Sequence, residues 1–273
     1  MVLRELQQRL IEGLQEHLSV IAAGHPVEEV GEVYEEVEEY FQATACCALL
    51  VSADREGFQR HLFWSALARR YFLQRSQEQG SADDFRCARS RSNAFFCAVV
   101  AGDMALALEI GDLSPEQWRQ EGEYEEDFAY HLFLHRLLKG VAQQERGELL
   151  RYFEKALGGT PSPRFDLCQA LQNEAAEDFE SALQELVDSH AAELEALRPQ
   201  STDVPTFEPR SRIFIEGLAL LRIAASVGLP LSGEQDYRFC PRSGLVKPLR
   251  SRPDDIFAQM ASISGGRTRP QRP

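Results

Sequence analysis

Long uncharged apolar runs are missing from this 273-residue sequence. The best candidate, residues 43–53, falls well short of the roughly 18 residues that a bilayer span requires, which excludes a membrane-spanning helix. Cysteines at metal or redox spacing are missing as well. Cys46, Cys47, Cys87, Cys97, Cys168 and Cys240 form no CxxC pair and most lie among apolar residues, a pattern of reduced core thiols. Residues 1–14 carry charges throughout and lack the basic end, apolar stretch and small-residue cleavage site of an export signal, so a cytoplasmic location is expected. Lysine is scarce, with 3 Lys against 26 Arg. No stretch alternates apolar and polar residues as a half-buried strand does.

What is present is acid. The formal net charge is −14, and residues 1–200 hold 36 of the 43 acidic residues but only 18 of the 29 basic ones. A surface of that sign repels nucleic-acid phosphates and anionic lipid and speeds the encounter with a basic partner. Neither nucleic acid nor membrane is therefore an expected partner.

The apolar residues recur at helical spacing. Leu3, Leu6, Leu10, Leu14, Leu18 and Ile21 make one stripe, ending near Gly24, and Val30, Val33, Tyr34, Val37 and Phe41 make the next, opposite Glu28, Glu29, Glu32, Glu35, Glu36 and Glu39. Further helices are predicted over residues 58–77, in two short pieces broken at Gly102 with Asp103 as N-cap, and over 123–143, 147–157, 164–172, 176–197 and 211–227. The last of these is the most apolar of the predicted long helices and is expected to be central. Ser114, Pro115 and Gln117 read as the cap, first-turn proline and capping-box partner of one more helix. The expected fold is all-α, an irregular array of antiparallel helical hairpins with a loop-rich C-terminal segment. Its expected parts are an α-helical domain over residues 1–228, an irregular segment over 229–262 packed on it, and a disordered tail over 263–273.

Candidates for chemistry are few. Asp127, His131 and His135 share one helical face at i, i+4, i+8, but no zincin glutamate accompanies them and apolar neighbours surround them, so no metal is expected. Arg55 and His61 have the spacing of the Arg–His element of HEPN-type ribonucleases, a match that 26 arginines and 6 histidines readily produce by chance, and the acidic N-terminal region would repel RNA. No serine sits in a Gly-x-Ser-x-Gly turn, no cysteine has a neighbouring histidine, and no glycine-rich phosphate loop exists. His190 lies on an apolar stripe and reads as a core histidine. No catalytic residue and no cofactor is expected. Glu216 is unusual: within residues 213–226 it and Arg222 are the only charges, about 240° apart on the helical wheel. Glu216, Gly217 and Arg222 are expected to be structural anchors, Glu216 through pairing with an arginine elsewhere.

Several segments resemble the immunity protein 49 family of bacterial polymorphic toxin systems. They are RFDLCQALQN (164–173), DFESALQELVDSH (178–190) and chiefly IFIEGLALLRIAASVGL (213–229), followed by Tyr237 and Pro241, with weaker likeness in AFFCAVVAGDMALALEI (94–110) and YEEDFAYHL (124–132). The resemblance spans about residues 90–245 and leaves 1–85 unmatched. It implies a cytosolic antitoxin that binds its cognate toxin and blocks the toxin's active site. The acidic surface then suits a toxin with a basic face. Glu121, Glu123, Glu125, Glu126 and Asp127, interleaved with Tyr124, Phe128 and Tyr130, are the first expected contact surface, because aromatics beside charges are what interface centres favour. The acidic face of residues 28–39 ranks second, as a solvated face. A helical scaffold or adaptor is the alternative reading.

Overall fold

The computed structural model describes residues 3–201, 203–233, 236–245 and 251–265. Among these the chain is all-α, without a strand. The helices are α1 (Leu3–Ala22), α2 (Val27–Ser52), α3 (Arg55–Glu78), α4 (Ala94–Ala101), α5 (Met104–Leu113), α6 (Glu125–Leu138), α7 (Gln143–Leu157), α8 (Pro163–Asn173), α9 (Ala176–Leu197), the single turn α10 (Phe207–Arg210), α11 (Ile215–Ser226) and α12 (Ile256–Gly265).

Their boundaries follow local chemistry. The Asp54 carboxylate accepts the Gly57 N–H at 2.8 Å and starts α3. Gly102 adopts φ 85° to end α4, and Asp103 then accepts the Leu106 N–H at 2.9 Å to start α5. Ser162 caps α8, with Pro163 in its first turn, where a missing N–H costs nothing. Short connections return each long helix onto the one before: α2 packs on α1, α3 on α2, α7 on α6 and α9 on α8, which makes helical hairpins.

Two helices hold these hairpins together. All eight residues of α4 are buried, and it packs on α3, α5 and α11. Helix α11 buries Ile215, Leu218, Ala219, Leu220, Ile223 and Ala224, and touches α4 and α9. The main apolar cluster runs from Leu14 to Phe257 and takes in Leu229, Tyr237 and Cys240 of the irregular segment. All six cysteines are buried and free.

Some expectations need correction. Residues 114–124 form no helix despite the Ser114–Pro115–Gln117 signature. The Ser114 hydroxyl instead donates back to the Ile110 carbonyl at 2.8 Å, and Arg89 takes the Ser114 and Pro115 carbonyls, so the segment is fastened as a loop. Helix α6 stops at Leu138, before Gly140 with φ 73°, rather than reaching residue 143. Helix α12 extends to Gly265, into the part expected to be tail; residues 266–273 lie outside the described residues.

The junction of α2 and α3 offers a paired test. Ala53 sits at φ 50°, a left-handed conformation that disfavours a Cβ, next to the Asp54 cap. Ala53→Gly should stabilise the chain by about 0.5 kcal/mol, and Asp54→Ala should destabilise it by about 1 kcal/mol. Urea unfolding followed by circular dichroism reads both, and equal signs would contradict the assigned caps.

Candidate partner-binding site

Glu216 enters the first turn of α11 and is buried, only 6% exposed. A lone carboxylate there would be costly, and two other helices, α6 and α8, converge on it to satisfy it. Arg164 of α8 donates from Nε to Oε1 at 2.8 Å and from Nη2 to Oε2 at 2.9 Å, a two-point grip. The Tyr130 hydroxyl of α6 donates to Oε1 at 2.9 Å, and the remaining Arg164 nitrogen, Nη1, reaches Asp127 at 3.2 Å. The Arg164 guanidinium also lies 5.3 Å from the centre of the Tyr130 ring. Burial alone would push the Glu216 carboxyl up; the Arg164 charge and hydrogen bonds, His131 and the Tyr130 hydroxyl outweigh it and hold the group below its ordinary value.

Gly217 has a steric reason to be glycine: a Cβ there would lie 2.6 Å from the Phe214 ring and 2.7 Å from the Cys240 sulfur. Arg222 is partly buried six positions further along α11.

The cluster floors a groove of about 560 Å³ lined by Arg164, His190, Leu194, Phe207, Arg210 and Phe214, among others. The His190 ring stacks on Phe214, centroids 4.0 Å apart. Leu197, at the groove's edge near the end of the α9 stripe, is about half exposed. Through Gln42, Asn93 and Arg210 the groove continues into a smaller cavity of about 270 Å³ bordered by Glu35, Glu38, Glu39 and Arg91. Of the six acids expected to form a solvated face, Glu29 and Glu32 are exposed, and four are engaged: Glu35 with Arg91 at 2.8 Å, Glu39 with Arg210 at 2.8 Å, Glu36 with His17 at 2.7 Å and Glu28 with the Ser81 hydroxyl at 2.7 Å.

The expected contact surface around residues 121–130 divides in two. Glu121 is exposed and Tyr124 is 74% exposed, with Glu125 and Glu126 half-buried at the start of α6. Glu123 is instead a brace, its Oε2 accepting the Ser90 N–H at 2.7 Å, and Asp127 belongs to the Arg164 cluster. Tyr130 corrects the expectation outright: its side chain is fully buried and bonded to Glu216, so it faces no partner. Two aromatics not singled out in the sequence join the exposed part. Trp118 is exposed along its edge while its indole donates to the Glu123 carbonyl at 3.0 Å, and the exposed Phe85 ring carries the Arg86 and Arg91 guanidiniums 4.5 and 5.2 Å from its centre. Gly122 joins the two loops, since a Cβ there would meet Ala88 and the Phe85 carbonyl at 2.7 Å.

The other candidates do not assemble a site. His131 is buried against Phe96, and burial lowers it to about 3; His135, lowered to about 4 by burial and Arg89, lies 3.3 Å from Asp112. Asp127 turns to Arg164, and among the described residues no group of three His, Cys, Asp or Glu could hold a metal ion. His61 packs between Phe41 and Trp64, where burial and Arg60 lower it to about 4, and Arg55 is exposed in the first turn of α3. Five residues lie between the two, an offset of about 240° around the helix, so they do not converge on one phosphate.

A family model described as immunity protein 49 matches residues 41–242, about three quarters of the chain. It reaches further toward the N-terminus than the likeness over about 90–245 and encloses α3, the groove-lining residues from Gln42 to Glu216, and Tyr124. Neither the curated proteins nor the solved structures contain a match to the chain.

Arg164→Met would strand the Glu216 carboxylate and should cost about 3–5 kcal/mol, whereas adding Glu216→Leu should cost less than the sum of the single changes. Additive losses in urea unfolding would show that the pair is not coupled. Acid should also destabilise the chain. His61, His131 and His135 have native values of about 3–4, below the roughly 6.5 of an unfolded chain. Their stabilisation is full above about pH 6.5 and is lost as pH falls toward the native values. His61→Phe should make stability fall less steeply between pH 6.5 and 5; an unchanged slope would contradict a neutral, buried His61.

Proposed function

The chain belongs to the immunity protein 49 family, and on that premise we propose that it binds a cognate bacterial toxin in the cytosol and neutralises it stoichiometrically by covering the toxin's active site. The family match over residues 41–242 carries this reading. The side chains that a catalytic reading would use support it further. His61 and His131 pack among aromatic rings, and Glu216, Arg164 and Tyr130 are committed to one another. The protein acts by contact and performs no chemistry.

The contact surface is the corner where loop 114–124 meets the loop before α4. Phe85, Trp118 and Tyr124 supply large, partly exposed aromatic area, and Glu121, Glu125 and Glu126 surround Tyr124 in sequence. Aromatic burial supplies most of the affinity at such centres, and the charge of −14 speeds encounter with a basic toxin face. The side chains are presented by a fastened loop: Arg89 and Arg119 hold it through the Pro115 and Ala82 carbonyls, which reduces the ordering cost of binding.

Co-expression with the toxin should restore growth and yield a complex that co-purifies. Tyr124→Ala combined with Glu121→Lys and Glu126→Lys should weaken the complex at least about 10-fold and slow association most at low salt. Undiminished affinity at low salt would remove this corner as the contact surface. A complex without growth rescue would favour an adaptor over a neutraliser.

A further inference from the structure

Helix α2 contains one further acid, the buried Glu38, that belongs to none of its exposed pairs. Glu38 and Gln42 are one turn apart, each 2% exposed, and both line the 270 Å³ cavity between α2 and residues 90–93. The Ser92 hydroxyl donates to Glu38 Oε2, the Gln42 amide nitrogen donates to Ser65 Oγ at 3.2 Å, and the Ser65 hydroxyl donates to the Glu38 carbonyl at 3.0 Å. This arrangement fixes both side chains and leaves Glu38 Oε1 and Gln42 Oε1 with no hydrogen-bond donor among the described residues. Two buried acceptors from residues one helical turn apart, one of them a carboxylate, ask for a ligand with several N–H groups.

The rim selects the charge of that ligand. Three carboxylates, Glu35, Glu38 and Glu39, border the cavity against two guanidiniums, Arg91 and Arg210, and each guanidinium already holds a rim carboxylate. An anion would meet the carboxylates, and neither lining guanidinium is free to receive it. A planar cation with a fork of donors can serve Glu38 Oε1 and Gln42 Oε1 together, which a single ammonium does less well.

We propose that this cavity is a receptor for a guanidinium group, and that its natural occupant is an arginine side chain of the toxin the chain neutralises. The second half of that statement rests on the proposed function; the first does not. The arginine enters beside the Glu39–Arg210 pair, and the neighbouring groove with Leu194, Leu197 and Phe207 takes the apolar residues that adjoin it in the toxin. Burial pushes the Glu38 carboxyl up to about 7, with Glu35 and Glu39 adding to the shift and Arg69 and Ser92 opposing it, so an entering cation meets a group that readily gives up its proton. Glu35, Glu38 and Glu39 precede the segment matched by the family model, whereas Gln42, Arg91, Ser92 and Arg210 lie within it.

The test titrates full-length, ¹⁵N-labelled protein with methylguanidinium chloride, and with methylammonium chloride at the same ionic strength, following the Gln42 side-chain amide and the Ser92 backbone amide. Saturable shifts at millimolar methylguanidinium, at least about 5-fold weaker with methylammonium, are expected. Glu38→Gln should abolish them while keeping the fold, because its amide can donate to Gln42 Oε1 and fill the place of the ligand. Absence of saturation, equal response to the two cations, or shifts unchanged in Glu38→Gln would overturn the receptor and leave Glu38 as a carboxyl satisfied within the protein. In parallel, Glu38→Gln should weaken toxin binding at least about 10-fold; unchanged affinity would overturn the assignment of the occupant to the toxin. Failure of the wild-type chain to bind the toxin would sink the proposed function instead, and the methylguanidinium titration would still decide the receptor.

Discussion

A carboxylate placed inside an apolar helix must find its positive charge within hydrogen-bonding reach or give up its ionisation. At Glu216 the charge is the Arg164 guanidinium, held from two nitrogens, with the Tyr130 hydroxyl completing the shell. The constraint is geometric as much as energetic. It requires the start of α8, the middle of α6 and the first turn of α11 to meet at one point, although they are separated by 34 to 86 residues of sequence. Swapping such a cluster for apolar residues can be neutral in stability, so its value lies in fixing the arrangement. Hydrophobic packing alone leaves helices free to slide by a turn, and a fork of hydrogen bonds does not.

The consequences extend outward from that point. With α8 and α11 pinned, the second half of α9 is held away from α2, and the groove that contains His190, Phe207 and Arg210 remains between them. Asp127, drawn to the same arginine, orients the first turn of α6 and with it Tyr124 and Glu126 at the surface. The exposed aromatic corner and the groove are thus two faces of one rigid junction. A protein that neutralises by contact, as proposed for this chain, needs surfaces that keep their shape before the partner arrives, because every side chain ordered on binding subtracts from affinity.

Much of the helical framework could be read from periodicity, since stripes such as Leu6, Leu10 and Leu14 leave little choice of period. The oddness of Glu216 was visible for the same reason: a charge interrupts an apolar stripe. Its partner was not, because Arg164 opens a helix 52 residues away and is one arginine among 26. Tyr130 looked like a surface aromatic beside acids, yet its place on α6 turns it inward to Glu216, a distinction that neighbours in sequence do not carry. Ser114 and Pro115 have the chemistry of a helix start, but the tertiary claim of Arg89 on their carbonyls overrides it. Glu38 was hidden among the other acids of α2; only the position of residues 90–93 separates it from the exposed ones.

The central claim is that neutralisation proceeds through surfaces presented by this junction. Hydrogen–deuterium exchange of the chain with and without its toxin tests it most directly. The account predicts slowed exchange in residues 82–91 and 116–126 and along the groove between α9 and α2, with α1 and α7 unchanged. Protection confined to α1 or α7, with those loops and the groove exchanging as in the free chain, would contradict it.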